Sequence, residues 1–182
     1  PVRSGPCAAV VAGGSMVVVD AGTGGARNLQ RLGFVPGRVD ALFLTHFHSD
    51  HIDGLGELAM LRWTGGSRTA PLPVHGPEGV EEIVAGFTQA YRRDAGYRVA
   101  HHGAETVPPS GAGLLAVAFP VPAEGEAPVV YAANGLEVRA FVVDHAPVEP
   151  AVGYRFDYGG RSVVVIGHEK GRTTQERLKH NF

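Results

Sequence analysis

Apolar residues fall in short, β-branched runs punctuated by glycine. Ala8–Ala12 and Met16–Asp20 flank Gly13-Gly14-Ser15, the composition of a tight turn, and predict an antiparallel hairpin. After a loop at 21–25, Arg27–Leu32 reads as a short helix stopped by Gly33. Ala41–Thr45 reads as a buried strand, and Gly54–Trp63 carries apolar residues near helical spacing. Pro73–His75 predicts a brief strand, and Glu78–Arg93 a helix with its acidic residues in the first turn, where the macrodipole favours them. From Val99 to Asn134 the chain is rich in Gly, Pro and Ala, which predicts a long loop with one strand at Leu114–Phe119. Leu136–Asp144 alternates as a strand, Val152–Tyr158 and Arg161–Ile166 form a hairpin around Gly159-Gly160, and 168–182 is polar. Alternating strands and helices imply a layered α/β domain over 1–167, followed by an atypical tail at 168–182.

Composition narrows the function classes. With 44% apolar residues the chain can build a core, and its 182 residues suit one domain. The net charge is −2 and no basic block exceeds Arg92-Arg93, so the basic stripe of a protein that grips nucleic acid by its phosphates is not visible. No apolar run approaches the roughly 18 residues of a membrane span and no charged-then-apolar leader opens the chain, so a soluble protein is expected; residue 1 is Pro and not Met, which leaves the compartment open, with cytoplasmic favoured over secreted. The single Cys7 excludes an internal disulfide and a cysteine-cluster metal site, and reads as a small apolar filler. Any metal must therefore be held by histidine and carboxylate.

Such groups cluster in one place. The apolar strand Ala41–Thr45 runs into His46-Phe47-His48-Ser49-Asp50-His51, which puts four metal-capable side chains within six residues. Residues two apart on an extended chain share a side, so His46 and His48 can converge on one ion, while Asp50 and His51 lie past the bend and can address a second. Imidazole and carboxylate suit Zn²⁺ and also Mn²⁺ or Fe, so the ligands alone leave the metal open.

His-x-His-x-Asp-His after an apolar strand resembles the metal motif of the metallo-β-lactamase-fold hydrolases. Asp20 matches that family's strand-end Asp, which implies a role in holding a ligand histidine. Val143-Asp144-His145-Ala146-Pro147 with Gly153-Tyr154-Arg155-Phe156 is similar to its third ligand region, in particular in the ribonuclease Z and arylsulfatase-like branch. The resemblance implies that His145 joins His46 and His48, and that Asp50 orients and deprotonates a metal-activated water. It also implies an αββα sandwich. Where the family carries Gly-Asp-Thr with a metal-bridging Asp, this chain has Gly167-His168-Glu169, so His168 is a candidate substitute ligand. A further family histidine and the usual opening strand have no counterpart, so the sandwich is expected to be truncated at its C-terminal side and to lack that strand.

Only 22 residues separate His145 from His168, too few for the arm with which bacterial ribonuclease Z enzymes grip tRNA. The expected activity is therefore zinc-dependent hydrolysis of small phosphate or sulfate esters, with one or two ions bound. A lactonase or β-lactamase of the same fold, or a metal-binding but catalytically impaired fragment, are the alternatives. Loss of the last layer would expose apolar faces of the hairpin Val152–Ile166, which favours a homodimer. His101 and His102 are expected on the surface of the long loop, and His75 and His180 carry no argument.

Overall fold

The computed structural model describes residues 4–165, so His168 and the tail at 168–182 lie outside the described residues. A five-stranded sheet runs in the order β1 (Ala8–Ala12), β2 (Ser15–Val19), β3 (Ala41–Phe43), β4 (Leu72–Pro77), β5 (Leu114–Phe119). β1 and β2 form the predicted antiparallel hairpin, and β2 to β5 pair in parallel. A second, antiparallel sheet has the order β6 (Val129–Ala133), β7 (Leu136–Val142), β8 (Val152–Tyr158), β9 (Arg161–Val165).

Strand alternation gives the first sheet two apolar faces. Val18, Leu42, Leu44 and Val74 pack against Leu29, Leu55, Leu58, Val80 and Val84 of the helices α1 (Gly25–Arg31), α3 (Leu55–Gly66) and α4 (Val80–His102). Val17, Val19, Phe43 and Phe119 face Leu136, Val138, Tyr154 and Phe156 of the second sheet. The outer face of that sheet carries a ladder in which Arg139 and Arg155 share Asp157, at 3.3 and 2.9 Å, and Arg139 also pairs with Glu137 at 2.9 Å. At the sheet edge Val163 and Val164 of β9 are 57% and 52% exposed. Among the described residues no helix is long and apolar enough to cross a membrane.

Three expectations need correction. The helix expected to end at Arg93 continues to His102, because Gly96 alone does not break it and Asp94 pairs with Arg98 at 2.7 Å across one turn. His101 and His102 consequently occupy its last turn rather than a loop, and Gly103, at φ 83°, ends it. β6 lies within the expected loop. Its hairpin to β7 turns on Asn134 and Gly135, both at positive φ (52° and 79°), which is the strongest short hairpin signal a sequence offers. A short helix α2 (Ser49–Ile52) also forms directly after the histidine-rich strand end.

Two polar side chains are buried in ways periodicity does not show. Arg62 on α3 donates to the carbonyls of Val39 and Ala70, at 2.7 and 2.9 Å, and burial pulls its guanidinium down to about 10. His75 on β4 sits between the sheets, stacked on Phe43 at 4.9 Å and edge-on to Tyr131 at 5.4 Å, with its Nδ1 unpartnered. Burial pushes the His75 pKa down to about 4, against a weaker opposing pull from the Val130 backbone. The unfolded chain, with a histidine pKa near 6.5, takes up a proton first, so the fold loses stability as pH falls from about 6.5 to about 4. The loss expected from this residue is about 3 kcal/mol, read as a urea midpoint that is less acid-sensitive in His75→Leu than in the parent.

Candidate metal centre

The site assembles where β2, β3 and the β7–β8 loop end on the same side of the sandwich. Asp20 follows β2 in the left-handed conformation, at φ 57°, which aspartate tolerates, and is 4% exposed. Its Oδ1 accepts the Thr45 backbone N–H at 2.9 Å, and its Oδ2 accepts the Thr45 hydroxyl at 2.9 Å and the His51 Nδ1–H at 2.8 Å. This buried carboxylate spans the start and the end of the histidine-rich segment.

His48 is extended, with φ and ψ of −62° and 145°, where α2 begins. His46 and His48 converge, with His46 Nε2 3.0 Å from His48 Nδ1. His46 is buried, His48 exposed. Burial, and then the neighbouring rings of His51, His145 and His48, push His46 down to about 3. It is neutral at physiological pH, the form in which imidazole binds a metal.

His145 arrives from the loop between β7 and β8. Two hydrogen bonds fix β8 to the end of β3: the buried Tyr154 hydroxyl donates to the Leu44 carbonyl at 2.6 Å, and the Val152 N–H to the Thr45 carbonyl at 2.9 Å. The loop closes on itself through Val148 N–H to His145 O at 2.9 Å and Ala146 N–H to Asp144 Oδ1 at 3.1 Å. One ring nitrogen from each of His46, His48 and His145 lies within 4.8 Å of the others. Neighbouring ligands of a tetrahedral zinc, at about 2.1 Å from the ion, stand about 3.4 Å apart, so the donor set fits such an ion.

His51 lies against this cluster, its ring centre 4.0 Å from that of His46, and with Nδ1 turned to Asp20 its Nε2 faces the half-exposed Asp50 at 3.9 Å. The segment is pinned from below by Ala21 N–H to His51 O at 2.8 Å and Gly54 N–H to Ala21 O at 2.7 Å. Thus His46, His48 and His145 share one point, with His51 and Asp50 at its flank. His168 is outside the described residues. Cys7 packs as a filler against the helix-side core, its thiol pushed up to about 11 by burial and then by the Asp20 charge. Thr45 and Tyr154 were not singled out by sequence reasoning for these contacts, since a threonine and a tyrosine beside apolar runs read as ordinary strand residues.

The family model of the metallo-β-lactamase superfamily matches residues 1–179. The chain is 39% identical over 169 residues to ribonuclease Z of Mycobacterium avium, covering 92% of this chain and 57% of that protein. Against ribonuclease Z of Mycolicibacterium gilvum it is 38% identical, covering 91% and 55%. The chain thus spans little more than half the length of these relatives. Among solved structures, the short form of human tRNase Z superposes with a TM-score of 0.67 at 18% identity, covering 98% of this chain and 68% of that one. A diphosphatase of the PhnP family gives 0.57 at 22% identity, covering 84% and 49%. The sequence match, the layered sheets and the histidine cluster at their common end agree: the chain belongs to the metallo-β-lactamase superfamily.

Proposed function

We propose that this chain carries the metal centre of a hydrolase that cleaves phosphate or sulfate esters, with zinc as the expected ion and Mn²⁺ or Fe as alternatives. The observation that carries this reading is the convergence of His46, His48 and His145 within 4.8 Å at a point where two of the three rings are exposed. These three would hold one ion, and Asp50 with His51 a second beside it. The metal, when bound, supplies Lewis acidity that makes water a nucleophile near neutral pH and polarises the ester.

The protein's own groups do the rest. Asp50, half-exposed next to His51, orients the attacking water and receives its proton on a carboxylate oxygen. Asp20, by accepting from His51 Nδ1, keeps the Nε2 of that ring available as a ligand. A phosphodiester substrate is supported by the relatives named ribonuclease Z. A compact one is supported by the stretch from 146 to 165, which holds only a short loop and the hairpin β8–β9 turning at Gly159-Gly160, with no protruding arm. Processing of precursor tRNA is the second reading, resting on the same relatives.

Elemental analysis of protein purified without chelator, together with turnover of an aryl phosphodiester, an aryl sulfate, a lactone and a precursor tRNA, tests both. One or two equivalents of metal with preference for the aryl phosphodiester or sulfate is the expected result. Preference for the tRNA supports the second reading, preference for the lactone supports ring-opening chemistry, and absence of metal overturns the metal centre.

A further inference from the structure

We infer that Thr45 is a positioning residue whose single hydroxyl sets the ring-nitrogen state of His46 and, through Asp20, ties the His46 side of the site to His51. The inference rests on the reading of these histidines as ligands. The Thr45 Oγ1 lies 2.9 and 3.1 Å from the two Asp20 oxygens, 3.0 Å from His46 Nδ1 and 3.4 Å from His51 Nδ1, and Thr45 is 6% exposed. A hydroxyl has one proton to donate and lone pairs to accept with.

The carboxylate of Asp20 only accepts, so the hydroxyl proton goes to it. The Thr45 oxygen is then an acceptor, and His46 must present Nδ1–H to it. That leaves the His46 Nε2 lone pair facing His48 and the cluster. His51 meets the same carboxylate with its own Nδ1–H, which leaves its Nε2 on the Asp50 side. One aspartate and one hydroxyl thereby assign Nε2 as the ligating atom of both rings. His48 differs: it faces His46 with Nδ1.

Thr45→Val keeps the shape and the backbone N–H that binds Asp20, and removes only the hydroxyl. His46 Nδ1 then has no acceptor beside it and Asp20 loses one donor. The expected result is zinc affinity weakened by about 10- to 100-fold, as for other contacts that orient ligand histidines, with Thr45→Ser near the parent. Competition against a chromogenic chelator, using zinc alone as the probe, reads this out. The nitrogen spectrum of the imidazoles in the zinc-stripped protein reads the ring state directly: His46 protonated on Nδ1 in the parent and in Thr45→Ser, and shifted toward Nε2 in Thr45→Val.

Parent-like zinc affinity in Thr45→Val, or a parent spectrum with His46 protonated on Nε2, overturns the inference. A parent that binds no zinc but shows His46 Nδ1–H, lost in the valine variant, supports the role of Thr45 and rejects the ligand reading instead. If the valine variant does not fold, the parent spectrum alone decides.

Discussion

Replacing His48 with alanine is expected to abolish turnover of an aryl phosphodiester while leaving the fold intact. His48 is one of three converging ring nitrogens, and a group that merely orients a ligand already contributes about 10- to 100-fold, so loss of a ligand should lower kcat/KM by more than about 10³-fold. In the metal-free protein its side chain carries little of the stability: His48 is exposed, meets the His46 ring nitrogen at 3.0 Å and occupies the N-cap of α2 without a side-chain capping bond, so the unfolding free energy measured without metal should change by less than about 0.5 kcal/mol. Turnover, metal content and a denaturation curve on the same preparation separate the two effects. Undiminished turnover in His48→Ala would remove the cluster from the chemistry.

The second large effect concerns a residue with no side chain. A Cβ at Gly22 would lie 2.2 Å from the Asp50 carbonyl oxygen and 2.7 Å from Gly5 C and Pro6 N, all of them backbone atoms. None can rotate away. Gly22 also donates to the Pro6 carbonyl at 2.8 Å, so the N-terminal segment, the turn after β2 and the histidine-rich segment are stacked at this point. Gly22→Ala must push the Asp50 backbone outward, with an expected cost of about 3 kcal/mol and a loss of bound metal. Gly86→Ala, on the open face of α4 with nothing within 4 Å, is the control and should stabilise by up to about 1 kcal/mol. Parent-like stability and metal content in Gly22→Ala would show that the crossing is looser than drawn.

The pairing of His46 with His48 was legible because residues two apart on an extended chain share a side, and His48 is extended where α2 begins. Asp20 and His145 were reachable only through family resemblance, since a strand-end Asp reads equally as a loop cap and nothing local to Val143–Pro147 distinguishes a ligand from a loop histidine. The hairpin at Asn134-Gly135 was present in the sequence and was masked by the Gly and Pro content of its surroundings. The full length of α4 was hidden by its composition, because much of its second half lies in solvent and shows no apolar stripe. The contacts of Thr45, Tyr154, His75 and Arg62 could not be read at all. Each takes its meaning from a partner 20 or more residues away or from the second sheet, and periodicity carries no such information.

The two hydrogen bonds that join Tyr154 and Val152 to the end of β3 do more than hold a loop. They set His145, carried between strands of one sheet, against His46 and His48, carried by the other. An ion held by these three rings, as proposed, would be a reversible cross-link closing a loop of about 100 residues, a constraint that the unfolded chain lacks. Its binding energy would fall on the docking of sheet to sheet rather than on either sheet alone, so metal occupancy and the seam of the sandwich would rise and fall together.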